Sequence, residues 1–156
     1  MAEKRFKYTA CGLDNIYLGN GFSIEKASRG RIVRIEDLQG LHRAIGEMLV
    51  RQKRSLVGVE LRFLRQELGL SQSRLAGMLG ESEQSVARRE KREKQWKRPT
   101  AQERIIRYMY EQYIEGSNET LSEFLNLLGE LDDVQDTAIE FENDGKWHRA
   151  EEGLAA

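Results

Sequence analysis

The sequence is poor in the residues that build covalent or metal-held frameworks. Its 156 residues include one cysteine, two histidines and one proline. Cys11 has no second cysteine with which to form an internal disulfide. His42 and His148, with that single thiol, do not make up the ligand set of a structural zinc site. The sequence therefore predicts no metal site and no cofactor.

Long apolar runs are also missing. No stretch approaches the ~18 apolar residues that suggest a membrane-spanning helix, and the sequence shows no signal-peptide pattern. We therefore expect a cytoplasmic protein with neither a membrane span nor an export signal. With 39% hydrophobic and 33% charged residues, the length suits one globular domain, or a small domain with an appendage.

The elements of an active site are equally scarce. The chain has no glycine-rich phosphate loop and no nucleophile with a base at a recognisable spacing. His42 lies next to an apolar stripe and is predicted to be a hydrogen-bonded boundary histidine, because no Ser, Cys or carboxylate constellation points to it. We predict no catalytic residues and no enzymatic activity.

The charges of the chain are unevenly distributed. The formal net charge is −1, but residues 51–107 carry fifteen Lys or Arg against seven Asp or Glu, a balance of +8. Residues 108–156 carry two against thirteen, a balance of −11. Because affinity for a phosphate backbone follows the local charge that faces it, the basic middle segment favours nucleic-acid binding there.

Residues 58–90 carry the clearest structural pattern. Amphipathic spacing predicts three short helices over residues 59–68, 72–79 and 83–91, separated only by tight turns, which is a helix-turn-helix signature. Ser71 and Ser82 stand at the expected N-caps, and Gly80 stands where a helix commonly ends in a left-handed residue. The predicted core of these helices is Leu61, Leu64, Leu68, Leu70, Leu75, Ala76, Leu79 and Val86.

The run LRQELGLSQSRLAGMLGESEQSVARRE resembles the xenobiotic-response-element family of regulators, which includes the lambda-repressor and Cro type of phage repressor. The resemblance implies a helical DNA-binding core in which the third helix of the motif lies in the major groove. It also implies that Ser71 and Gln72, which open the second helix, approach a DNA phosphate.

The third helix of the motif would read the bases. By position in the family motif, Glu83, Gln84 and Arg88 face base edges, whereas Ser82 and Ser85 lie nearer the DNA backbone. A guanidinium can donate two hydrogen bonds to guanine, and an amide can both donate to and accept from adenine. Arg88 and Gln84 are therefore the strongest candidates for base contacts, while Glu83 could accept from cytosine or repel phosphate in a wrong register.

The end of that helix and the loop after it extend the predicted surface. Arg89 is included, although many relatives carry an aromatic residue at its position. In the family the loop after the third helix commonly runs along the DNA backbone, which implies phosphate contacts for Lys94, Lys97 and Arg98. The alternative is a solvated loop held by a buried Trp96. The basic run RQKRS at residues 51–55 fits a phosphate contact and a solvated hinge equally well.

Both ends of the chain add β structure. The N-terminal region is predicted to form a small antiparallel meander with a hairpin turn at Asn20-Gly21. Its strands are predicted over residues 6–11, 15–18, 22–25 and 31–35. This meander has the character of a structural lid or a dimer surface. Near the other end, residues 137–149 predict a β-hairpin, which we expect to pair with the N-terminal strands.

Further helices flank the motif. Helical spacing predicts one helix over residues 36–53. A capping box of Thr100 and Glu103 predicts the start of a second helix, over residues 100–115, and a capping box at Thr120 predicts a third, short one. The predicted inward face of the helix over residues 36–53 is Leu38, Leu41, Ile45, Met48 and Leu49. The predicted inward face of the helix over residues 100–115 is Ile105, Tyr108, Met109, Gln112 and Tyr113.

These patterns predict a mainly helical α+β fold, with a five-helix lambda-repressor-like core flanked by the N-terminal meander and the C-terminal hairpin. The expected segments are residues 1–54, 55–130 and 131–156. The predicted function is that of a dimeric, sequence-specific DNA-binding transcriptional regulator, a repressor that binds double-stranded DNA. The alternative is the antitoxin of a type II toxin–antitoxin pair, which binds a toxin protein and autoregulates its operon; the acidic C-terminal segment favours it.

Overall fold

The computed structural model describes residues 5–116, 141–143, 145 and 147–149. Within these residues the chain forms four strands, then five helices, then two strands. The strands are β1 (Phe6–Lys7), β2 (Tyr17–Leu18), β3 (Phe22–Ala27), β4 (Gly30–Ile35), β5 (Phe141–Asn143) and β6 (Trp147–Arg149). The helices are α1 (Leu38–Gln52), α2 (Gly58–Glu67), α3 (Gln72–Leu79), α4 (Glu83–Glu90) and α5 (Ala101–Glu115). The fold is α+β and mainly helical, which confirms the predicted class.

The N-terminal strands form two separate two-stranded antiparallel sheets, β1 with β2 and β3 with β4. The prediction of a hairpin turn at Asn20-Gly21 was wrong, because β2 and β3 on either side of it do not pair with each other. Gly21 instead has a φ of 73° at the connection, and its carbonyl accepts a hydrogen bond of 2.8 Å from the backbone N–H of Glu36. The turn between β3 and β4 is formed by Ser28 and Arg29.

The C-terminal hairpin is present as predicted. β5 pairs antiparallel with β6, with Asn143 opposite Trp147, and the Asn143 side chain accepts a 2.9 Å hydrogen bond from the backbone N–H of Gly145 in the turn. Within the described residues the two strands pair with each other and not with the N-terminal strands, so the expected pairing was wrong. The short helix predicted at Thr120 lies outside the described residues.

The predicted caps of the helix-turn-helix motif are confirmed. The Ser71 hydroxyl accepts a hydrogen bond of 3.0 Å from the backbone N–H of Arg74, and the Ser82 hydroxyl accepts one of 3.2 Å from that of Ser85. Each satisfies one of the unpaired N–H groups of a helix start. Gly80 ends α3 with a φ of 66°, a conformation that an L side chain rarely adopts.

One hydrophobic core joins α1, the first strands and the motif. Leu61, Leu64, Leu75, Ala76 and Val86 are buried in it, and Leu68, Leu70 and Leu79 pack against it partly exposed. Ile45 and Leu49 of α1 belong to the same cluster, and so do Tyr8, Leu13, Ile16 and Leu18 near the N-terminus. The core therefore crosses the segment boundary expected at residue 54. Leu38, predicted to face inward, is exposed.

The inward face of α5 differs from the prediction. Glu103, Ile106, Met109 and Tyr110 are buried, whereas Tyr108 and Tyr113 are exposed. Glu103 was not among the predicted inward residues, and an unpaired buried charge is costly. Here the carboxylate of Glu103 is paired, so the buried stripe can run through it.

Glu103 joins α5 to the connection between α1 and α2. Thr100 caps α5 as predicted, because its hydroxyl accepts a 3.2 Å hydrogen bond from the backbone N–H of Glu103. The carboxylate of Glu103 does not return to the cap. It accepts a hydrogen bond of 2.9 Å from the backbone N–H of Leu56 and one of 2.7 Å from the guanidinium of Arg107. Arg107 in turn donates to the carbonyls of Val50 and Lys53.

Gly58 is where α2 lies directly against the end of α4. A Cβ added there would stand 2.3 Å from the carbonyl oxygen of Glu90, an atom of the backbone that cannot swing aside. We expect Gly58→Ala to lower the free energy of unfolding by about 1 to 3 kcal/mol, because overpacking shifts the backbone. Gly77→Ala is the matched control: it adds the same methyl in α3, where nothing lies within 4 Å.

Denaturant unfolding of both alanine variants tests this contact. Alanine is favoured over glycine by up to about 1 kcal/mol inside a helix, so the Gly77 variant is expected to be as stable as the parent chain or more stable. Equal stability of the Gly58 variant and the Gly77 variant would contradict the close approach of α2 and α4.

Candidate nucleic-acid interface

The helices α3 and α4 form a helix-turn-helix unit. They are joined by Gly80, Glu81 and Ser82 alone, and Ala76 and Val86 are both buried in the common core. A small side chain such as that of Ala76 allows two helices joined by a tight turn to approach closely. The bounds and caps of the two helices agree with those predicted from the sequence pattern, within one residue at the end of α4.

One side of α4 is buried and the other is exposed. Val86 and Glu90 face the core, whereas Glu83, Gln84 and Arg88 are exposed. Residues four apart lie on the same face of a helix, so Gln84 and Arg88 are neighbours on the exposed side. Within the described residues neither side chain has a protein partner. Together with Glu83, they are the side chains for which the family resemblance implies base contacts.

The two adjacent arginines at the end of α4 have different environments. Arg89 donates from both terminal nitrogens to the carboxylate of Glu81, at 2.5 and 3.0 Å. A bidentate pair of this kind fixes both side chains, and it ties the end of α4 to the turn before it. Arg88 stays exposed. Of the two predicted contacts, only Arg88 presents a free guanidinium in the part of the chain that the structure describes.

A buried polar network holds α2, α3 and α4 together. The guanidinium of Arg65 donates hydrogen bonds to the carboxylate of Glu90, one of them 3.1 Å long. It also donates a hydrogen bond of 2.8 Å to the carbonyl of Leu70. The side-chain amide of Gln72 donates a hydrogen bond of 2.8 Å to the same carboxylate. The side chain of Gln72, which was predicted to approach a phosphate, therefore links the start of α3 to the end of α4.

The loop after α4 is exposed throughout residues 91–98. The guanidinium of Arg92 stacks 3.7 Å from the ring centre of Trp96 and donates 2.9 Å to the carbonyl of Lys94. Trp96 is 41% exposed, so the alternative of a loop held by a buried tryptophan is contradicted. Lys94, Lys97 and Arg98 are exposed and form no ion pair within the described residues.

The basic run at residues 51–55 is largely engaged by the protein. Arg51 binds the carboxylate of Glu111 with two hydrogen bonds of 2.7 and 2.8 Å, and this bonding holds the pKa of Glu111 below its ordinary value. Lys53 binds Glu60 at 2.7 Å. Arg54 is exposed and has no ion-pair partner in the described part of the chain.

The remaining predicted side chains have mixed positions. Ser71 and Ser82 are exposed and serve as helix caps, and Ser85 is half-buried. The exposed cations that the sequence analysis did not assign include Arg74 on α3 and Lys91 directly after α4, neither of which forms an ion pair within the described residues. Their position in the basic segment indicated that they could contact phosphate. Helical periodicity alone could not separate them from cations of the same segment that form ion pairs within the protein.

Comparison with known proteins gives no relative for this chain. No family model, no curated protein and no solved structure matches it. Among the described residues, no helix combines the length and apolar character that crossing a membrane requires. No three His, Cys, Asp or Glu side chains of that same part are grouped so that they could hold a metal ion.

Proposed function

We propose that this protein is a sequence-specific DNA-binding transcriptional regulator of the xenobiotic-response-element class, and that it acts in the cytoplasm as a repressor without enzymatic activity. The observation that carries the proposal is the exposed face of α4. Gln84 and Arg88 project from a helix whose opposite face is buried, and they have no protein partner within the described residues. Both side-chain types suit base edges in the major groove.

The charge of the middle segment supports the same proposal. Residues 51–107 carry a balance of +8. Five exposed cations on α3 and after α4 form no ion pair with any residue that the structure describes, namely Arg74, Lys91, Lys94, Lys97 and Arg98. Neutralising phosphates with such cations releases counterions, so binding weakens as salt rises. The negative charge of residues 108–156 lowers the net charge without removing this local excess.

The oligomeric state of the protein predicts the symmetry of the DNA sequence that it binds, its operator. Helix-turn-helix proteins that bind as two-fold dimers place their recognition helices about 34 Å apart, one turn of DNA, and therefore read palindromic half-sites. We propose such a homodimer on double-stranded DNA for this chain.

Selection of bound duplexes from a random pool, run at two salt concentrations, tests the proposed function. We expect an enriched palindromic sequence at both concentrations and a large loss of affinity at the higher one. Retention of duplexes without any enriched sequence would contradict sequence-specific regulation. Binding that does not change with salt would contradict the phosphate contacts.

Arg88→Ala is expected to weaken binding to the selected operator by about 1 to 3 kcal/mol and to relax one base position. Titration of operator and random duplexes with the purified variant measures both effects. The matched control is Arg51→Ala, which removes the same charge from a guanidinium already bound to Glu111. Equal losses on operator and random DNA would make Arg88 a phosphate contact.

The second candidate function is that of an antitoxin. The hairpin of β3 and β4 exposes Ile24 and Val33, which stand opposite each other on the two strands and therefore share one face. An exposed apolar patch of this kind suits a protein partner. Together with the acidic C-terminal segment, it would suit a small basic toxin. A co-transcribed reading frame for such a protein, and co-purification of the two products, would support this function. A solitary gene would contradict it.

A further inference from the structure

A cavity of about 660 Å³ lies away from α3 and α4. It is formed by the start of α1, the end of α2 and the later half of α5, and its polar lining includes Asp37, His42, Arg43, Glu67, Tyr110 and Tyr113. Its volume falls within the range of about 300 to 1,000 Å³ that is typical of small-molecule sites. None of the residues assigned to DNA contact lines it.

The hydroxyl of Tyr110 is unusual in this cavity. Tyr110 is 0% exposed, and within the described residues its hydroxyl is buried without a hydrogen-bond partner. Gly46 makes room for the ring, since a Cβ there would stand 2.1 Å from that oxygen. Buried tyrosine hydroxyls usually find a partner, because an unpaired buried polar group costs free energy. A ligand that reaches this oxygen from the cavity would supply the missing partner.

The other polar groups of the lining are partly used by the protein. Both ring nitrogens of His42 are bonded, one to the Tyr8 hydroxyl at 2.7 Å and one to an oxygen of Glu67 at 2.8 Å. One oxygen of Asp37 accepts from the backbone N–H of Gly40. In the described part of the chain, Asp37 and Glu67 therefore each keep one oxygen that no protein donor occupies.

The charge of the lining selects a cation. Asp37 and Glu67 are two carboxylates against the single guanidinium of Arg43, which already donates to the carbonyl of Ile114. Burial, and after it the charge of Glu67, raises the pKa of Tyr110, so the hydroxyl stays neutral. The exposed ring of Tyr113 lies 5.7 Å from that of Tyr110, and such a ring can cover a cation by a cation–π contact.

We propose that this cavity binds a small organic molecule with an ammonium group. The free carboxylate oxygens of Asp37 and Glu67 and the hydroxyl oxygen of Tyr110 accept hydrogen bonds from the ammonium, and the ring of Tyr113 covers it. The cavity is not lined by the residues assigned to DNA contact, so binding of an ammonium compound can be tested without DNA. A failure to bind such a compound would leave the proposed DNA-binding function untouched.

Three four-carbon probes test the ligand class on the purified full-length chain. Isothermal titration is carried out with putrescine, 1,4-butanediol and succinate, which differ in their end groups but have the same chain length. We expect saturable binding of one putrescine per chain and no binding of the diol or the dicarboxylate. Absence of saturable putrescine binding would overturn the proposal, and so would equal binding of either other probe.

Three variants locate the binding. Tyr110→Phe removes the orphan hydroxyl, and without ligand its melting temperature is expected to be unchanged or higher, because an unpaired buried group is removed. Its putrescine affinity is expected to fall about 3- to 10-fold, the loss of one hydrogen bond. Asp37→Asn keeps the α1 cap but removes a charge, and is expected to weaken binding at least as much. Glu36→Gln, an exposed neighbour outside the lining, is the matched control.

The pattern across the variants decides between a site and general charge attraction. Loss of affinity in Tyr110→Phe and Asp37→Asn with full affinity in Glu36→Gln supports the cavity. Equal loss in Asp37→Asn and Glu36→Gln, or full affinity in Tyr110→Phe, would overturn it.

Discussion

Glu103→Ala is expected to lower the free energy of unfolding by about 3 to 5 kcal/mol, the cost of removing one partner from a buried ion pair. The side chain of Glu103 is 0% exposed, and its loss leaves the guanidinium of Arg107 without its charge partner. It also leaves the backbone N–H of Leu56 without an acceptor. Urea unfolding of the variant and the parent chain, extrapolated to water, measures the difference.

Glu111→Ala is the matched control for Glu103→Ala. It removes the same side chain from the same helix, and Glu111 also binds an arginine, Arg51. In that pair the side chains are 50% exposed for Arg51 and 26% for Glu111, so the expected loss is only about 0 to 1 kcal/mol. Equal losses in the two variants would contradict the structural role of the buried carboxylate.

Arg65→Met and Glu90→Leu are each expected to lower the free energy of unfolding by about 3 to 5 kcal/mol. The side chains of Arg65 and Glu90 are 10% and 6% exposed, so either change leaves a charge buried without its partner. The pair joins α2 to the end of α4, and Gln72 of α3 binds the same carboxylate. Denaturant unfolding of both single variants measures the losses.

The double variant distinguishes the pair from simple loss of volume. Replacing a buried ion pair with apolar side chains of similar size is often neutral, so combining Arg65→Met with Glu90→Leu is expected to restore most of the lost stability. The two losses would simply add if the side chains acted independently. An additive double variant would therefore contradict the direct pairing of Arg65 with Glu90.

The sequence predicted the helices of the motif closely because their signals are local. The bounds of α3 agree with the prediction at both ends, and those of α2 and α4 agree within one residue. Ser71, Ser82 and Gly80 act within a few residues of the chain, and the N-cap and C-cap preferences depend on that same short range. The buried residues of the motif were predictable for the same reason, since 3.6-residue spacing places them on one face.

Strand pairing and ion pairing were not predictable, because both depend on what the rest of the chain brings near. Asn20-Gly21 has the composition of a hairpin turn, yet β3 pairs with β4. Arg88 and Arg89 are identical in type and adjacent in sequence, and only the nearby carboxylate of Glu81 separates their environments. The burial of Glu103 in α5 was not predicted either, because it depends on the backbone N–H of Leu56 and the guanidinium of Arg107, which the fold brings to its carboxylate.

The sequence by itself determined the local features of this protein: five helices and short strands within the described residues, the caps of the motif, and a basic segment around α3 and α4. Only the tertiary structure decided which charges remain available. Carboxylates from other segments bind Arg51, Lys53, Arg65 and Arg89. Arg107 is bound by Glu103, one turn earlier in the same helix. The physical reason is that backbone geometry follows from neighbours in sequence, whereas the pairing and burial of a charge follow from neighbours in space.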